Sequence, residues 1–156
     1  MGMAVLLVDG AEVSISATTS ARLARLGVSW VDLLRQARTT AIVLEGWAFL
    51  IQRKFWTQPR FKSFLDAIPD DRMVVLDLFC ESNPMWDKTD AFCGKPWLWC
   101  NVQNFGRNIH LNAAMSRNNE ALFAAKQDPK SGRLIGLGFV NEGLCYSPVA
   151  YDFMFE

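Results

Sequence analysis

A chain of 156 residues, 51% of them hydrophobic, is long enough to bury one sizeable core and too apolar to be disordered. Lys and Arg number 16 and Asp and Glu number 16, so no net charge points to nucleic acid or to an anionic membrane surface as a partner. The first apolar run, residues 1–8, lacks a basic leader and is cut by Asp9 and Glu12, which reads as neither signal peptide nor membrane span and makes the chain, as written, cytoplasmic.

Residues 1–40 form a leader of unclear relation to the rest. Residues 3–8 and 12–16 suit a short hairpin around Asp9-Gly10. Thr19 or Ser20 then caps a helix reaching about Arg38, with Leu23, Leu26, Trp30, Leu33 and Leu34 at helical spacing. Its basic residues, Arg22, Arg25, Arg35 and Arg38, suit a solvated face.

From Ala41 an alternation begins. Apolar runs at 41–44 (AIVL), 73–78 (MVVLDL), 96–102 (PWLWCNV) and 134–139 (LIGLGF) are short enough for buried strands. Helical patterns lie between the first two runs, at 58–68, and between the last two, at 108–127, while the middle connection is loop-like. Strand, helix, strand at this interval predicts parallel strands joined by crossover helices. On the third strand Trp97 and Trp99 share one face, a layer for helices to pack on.

The middle connection carries Trp86 and Phe92 among prolines, Gly94 and polar residues. Two uses fit these rings: stacking on a sugar or other flat-faced ligand, or pinning the loop to the core. Of the cysteines, Cys80, Cys93, Cys100 and Cys145 match no zinc or CxxC spacing. Cys100 and Cys145 read as small buried hydrophobes, and Cys80 and Cys93 would bridge only in an exported chain. The lone histidine, His110, has no ligand neighbour and reads as a surface or helix-packing residue. No cofactor is expected: Gly136-Leu137-Gly138 is followed by Asn141 where a dinucleotide fingerprint needs its third glycine.

Parallel α/β proteins bind ligands at the carboxyl ends of their strands. Glu45, Trp47, Asp77, Glu81, Gln103, Asn104, Asn141 and Glu142 all fall at such ends. Glu142, which follows the apolar run of the fourth strand and precedes Gly143, is the prime catalytic candidate. Carboxylates, amides and indoles are the tools of carbohydrate chemistry: acid, base or nucleophile from the first, hydroxyl hydrogen bonds from the second, stacking from the third.

Residues 41–156 resemble the α-N-acetylglucosaminidases of glycoside hydrolase family 89. The resemblance rests on AIVLEGW with Phe55-Trp56, MVVLDLFCES, GKPWLWCNVQNFGRN, and IGLGFVNEG followed by SPVAYDFMFE. It implies a (β/α)8 catalytic barrel and a retaining exo-enzyme that removes terminal α-linked N-acetylglucosamine, with full-length members lysosomal or secreted. By this resemblance Glu142 falls on the nucleophile, Asn104 on a pocket amide and Trp47 on the pocket tryptophan, while Glu81 and Gln103 join the substrate-binding set. The family's general acid lies in a motif reading approximately DPFNE, which this sequence does not contain. Gln103 stands where the family usually has His, Arg107 where it usually has Gly, and Asn141 where it usually has Pro.

A (β/α)8 barrel usually takes about 250 residues. Residues 41–156 are therefore expected to form a partial TIM barrel of about four parallel strands, with little or no activity alone and a tendency to self-associate through open strand edges. The partner class is a glycan ending in N-acetylglucosamine. The alternatives are a non-catalytic remnant and a small flavodoxin-like α/β module that binds sugar or another protein.

Overall fold

The structure is a computed structural model that describes residues 42–102, 114–140 and 148–155. The hairpin and helix expected in residues 1–40 lie outside the described residues, as do His110 and Cys145.

Four strands form one sheet: β1 (Ile42–Glu45), β2 (Met73–Asp77), β3 (Trp97–Asn101) and β4 (Leu134–Phe139), in the order β1-β2-β3-β4. Every pairing is parallel, with Leu44 beside Val75, Leu76 beside Leu98, and Trp99 beside Leu137. Parallel neighbours need crossovers, and helices supply two of them. Helices α1 (Trp47–Ile51) and α2 (Gln58–Leu65) join β1 to β2, and α3 (Met115–Gln127) precedes β4. Helix α4 (Pro148–Phe155) follows β4 and brings Phe155 against Phe139, with ring centroids 5.5 Å apart. Four parallel strands in sequential order agree with the partial (β/α)8 barrel expected from the resemblance. The helix expected over 108–127 begins, among the described residues, at Met115.

The period of two sorts side chains between the sheet's faces. Leu44, Met73, Val75, Trp97 and Trp99 are buried with Phe49, Trp56, Phe61, Phe64 and Leu65 in one core, so this face looks toward the helices. On the opposite face a Cβ added at Gly136 would lie 3.1 Å from Leu98 Cδ2, and one at Gly138 would lie 2.9 Å from Cys100 Sγ. Glycine thus lets β4 lie close against β3 where side chains would collide. Between the two registers Ile135 is an extra residue, a bulge that leaves its side chain 56% exposed at the edge.

The middle connection is held to the core by its aromatics. Trp86 stacks on Trp97 at 5.7 Å, and Phe92, fully buried, lies 5.8 Å from the same indole. These contacts decide between the two uses of the rings: they pin the loop and do not present themselves for stacking on a ligand. From Asp90 to Cys93 four successive non-glycine residues take positive φ, a left-handed turn that costs about 1–2 kcal/mol per residue. Thr89 supports it from beneath, donating through Oγ1 to the Met85 carbonyl at 2.8 Å and accepting from Phe92 N–H at 3.2 Å. Cys80, Cys93 and Cys100 are free thiols.

Candidate active site

Of the polar and aromatic residues expected at the carboxyl edge of the sheet, Glu45, Trp47, Asp77 and Glu81 fall among the described residues. Gly46 ends β1 with its N–H on the Leu76 carbonyl at 3.0 Å, and an added Cβ there would sit 2.7 Å from that oxygen. Only glycine permits so close an approach to β2. Trp47 follows at once, half-buried at the start of α1, with its ring 6.2 Å from Phe79 just beyond β2. Glu45 is the last residue of β1, paired with Leu76 at the same edge.

Asp77 corrects one expectation. As the third member of the Met73, Val75, Asp77 series it lies on the helix-facing side, beside Trp99, and is 2% exposed. Its Oδ2 accepts both Met85 N–H and Trp86 N–H, each at 2.9 Å. Burial pushes this carboxyl up, and the two backbone donors pull against the shift without cancelling it. Asp77 is thus a fastener for the aromatic loop and not a member of the ligand rim. The buried thiols of Cys80 and Cys100 are also pushed up, first by burial, the latter to about 12, so neither is a ready nucleophile.

Glu81 is different. One carboxyl oxygen, Oε1, accepts Val102 N–H at 2.9 Å where β3 leaves the sheet. The other, Oε2, is buried without a hydrogen-bond partner among the described residues. Burial pushes this carboxyl up to about 7, against the pull of its own N–H, of Val102 N–H and of Arg117. A carboxyl that changes charge near neutrality at the carboxyl edge of a parallel sheet is the strongest chemical signal among the described residues.

Glu142, Gln103 and Asn104, together with Arg107 and Asn141, lie outside the described residues. The described backbone leads up to them from both sides. Val102 is tied to Glu81, and the β4 ladder runs on to Val140, whose N–H donates to the Asn101 carbonyl at 3.0 Å. Among the described residues no group of three or more His, Cys, Asp or Glu side chains could hold a metal ion. No helix among them is long and apolar enough to cross a membrane.

A parallel β/α sheet in sequential strand order, with Trp47 and Glu81 at its carboxyl edge, is a layout that TIM barrels and doubly wound folds share. The model of the alpha-N-acetylglucosaminidase (NAGLU) tim-barrel domain matches residues 10–156, and the chain belongs to that family. The match begins ahead of Ala41 and so takes in most of the leader segment. Human alpha-N-acetylglucosaminidase is 39% identical over 114 residues, a stretch that covers 73% of this chain. That stretch is 15% of the human protein, so the chain corresponds to a segment of its relative.

The alternation of the second strand already separated Asp77 from the rim, since Met73 and Val75 set its face. The tie between Glu81 and Val102 had no signal in the sequence, because it joins a side chain to a backbone group on another strand.

Proposed function

We propose that the chain carries part of the catalytic barrel of a retaining exo-glycosidase of glycoside hydrolase family 89, acting on terminal α-linked N-acetylglucosamine. Glu142 serves as the nucleophile, with Trp47, Glu81, Gln103 and Asn104 in the sugar site. The observation that carries this reading is the parallel register of β3 and β4, extended by the bond from Val140 to Asn101, in a chain that belongs to the alpha-N-acetylglucosaminidase barrel family. It supports a strand that delivers Glu142 two residues beyond its last ladder bond.

Such a reaction needs two carboxyl groups about 5–5.5 Å apart, one to attack the anomeric carbon and one to protonate the departing oxygen. No metal or organic cofactor takes part in it. The sequence holds the first carboxyl and no DPFNE-like stretch for the second. Neither Glu45 nor Glu81 stands where the family carries its acid, and Glu81 is already committed to Val102. The isolated chain therefore turns over slowly, because a missing general acid costs roughly 10²–10⁴ in rate. The same gap favours a second reading, a remnant that binds the sugar and does not cleave it.

Calorimetric titration with N-acetylglucosamine tests the sugar site. Saturable binding weakened about tenfold by Asn104→Ala, the loss of roughly one hydrogen bond, is the expected result. Binding that is absent, or indifferent to Asn104, contradicts it.

The open sheet carries a further proposal. Beside β4 lies an apolar groove lined by Leu122, Phe123, Leu134, Ile135 and Leu137, at the edge where a complete barrel would continue. Such an edge promotes self-association. Sedimentation velocity reads it directly, and a single monomeric species at all concentrations contradicts it.

A further inference from the structure

β3 leaves the sheet with a donor to satisfy. Its pairing with β2 runs to Trp99 beside Asp77, and the chain beyond β2 follows one step further, with Cys80 N–H on the Cys100 carbonyl at 3.1 Å. A continued parallel ladder would next bring the Cys80 carbonyl to Val102 N–H. The chain turns away instead, since Ser82 N–H and Asn83 N–H both fold back onto the Phe79 carbonyl, at 3.1 and 2.7 Å. Glu81 Oε1 takes the vacated acceptor position.

We propose that Glu81 is the positioning residue of the carboxyl rim, its side chain replacing the lost ladder acceptor at Val102 and so fixing the end of β3, which Gln103 and Asn104 follow in sequence. The role for sugar binding rests on the reading of Gln103 and Asn104 as pocket residues; the anchoring of Val102 does not.

Glu81 performs this task as a neutral carboxyl. A buried carboxylate oxygen without a donor is far more costly than a neutral hydroxyl in the same place, and Oε2 is such an atom among the described residues. The described charges that act on it are Arg117 of α3, which favours ionisation, and Asp77 of β2, which opposes it; burial outweighs both. As the pH rises through about 7 the acceptor of Val102 N–H changes from a neutral to a charged oxygen, which alters the bond at the anchor. Glutamine keeps the acceptor oxygen and cannot ionise, so Glu81→Gln preserves the anchor and removes its titration. Glu81→Ala removes both.

The test uses the whole chain in nuclear magnetic resonance. The Val102 amide proton is expected to shift with a midpoint near 7 in the unmodified protein and to stay constant in Glu81→Gln. In Glu81→Ala its hydrogen exchange should quicken about tenfold or more, while Leu98 and Trp99 amides, inside the ladder, keep their protection. N-acetylglucosamine is the second probe: its affinity should be weakened at all pH values in Glu81→Ala. A Glu81 carboxyl that titrates with ordinary carboxylates, or a Val102 amide indifferent to Glu81→Ala, overturns the proposal. The expected Val102 behaviour in a protein that never binds the sugar upholds the anchor and overturns the sugar-site reading alone.

Discussion

Two carboxyl groups leave the end of β2 close together in sequence and are finished in opposite ways. Asp77 turns toward the helices and has one oxygen filled by two backbone donors, in a layer closed by Trp97 and Trp99. Glu81 turns toward the end of β3, where one oxygen is filled and the other, though buried, has no partner among the described residues. Both are pushed up by burial, yet of the two only Glu81 has a buried oxygen without a hydrogen-bond partner among the described residues. Asp77 is thus used to hold the loop, and Glu81 keeps one oxygen without a partner among the described residues.

The sharpest way to break the first side is Trp97→Ala. It deletes a fully buried indole that stacks on Trp86 and donates to the Ser131 carbonyl at 2.7 Å. A loss of about 3–5 kcal/mol in unfolding free energy is expected by chemical denaturation. Asp77→Ala comes next. It strands the N–H groups of Met85 and Trp86 and should cost about 2–4 kcal/mol, with Asp77→Asn costing less because the amide oxygen still accepts. Equal losses for Ala and Asn would mean that the charge, and not the pair of acceptor bonds, holds the loop.

Glu81 gives the smallest effect and the most diagnostic one. Its carboxyl is pushed up from 4.5 to about 7 on folding, so between these values the folded chain holds a proton that the unfolded chain has lost. Stability contributed by this group is therefore full below about 4.5 and declines as the pH rises toward 7. Melting curves recorded across this window should show the decline, and Glu81→Gln should flatten it. An unchanged slope in the variant would assign the decline to other groups.

Much of this architecture was legible in the sequence because it follows from local rules. The apolar run of β4 was read at its observed bounds, and the parallel order follows from helical patterns placed between strand patterns. The packing of Trp86 and Phe92 on Trp97 is one of two uses open to the sequence, since composition shows that a loop is aromatic but not which way its rings turn. Asp77 was grouped with the rim by its place at a strand end, although the period of two through Met73 and Val75 sends it to the other face. The bond from Glu81 to Val102 and the left-handed turn from Asp90 to Cys93 depend on contacts between distant segments, and no spacing rule reaches them.

The central proposal is that Glu142 serves as the nucleophile of a glycosidase site, in a sequence with no DPFNE-like stretch for the acid. Hydrolysis of a nitrophenyl α-N-acetylglucosaminide by the isolated chain tests it most directly, beside Glu142→Gln as control. The account predicts turnover little above background, with whatever remains abolished in Glu142→Gln. Robust turnover would contradict the missing acid, and turnover that survives Glu142→Gln would contradict the nucleophile itself.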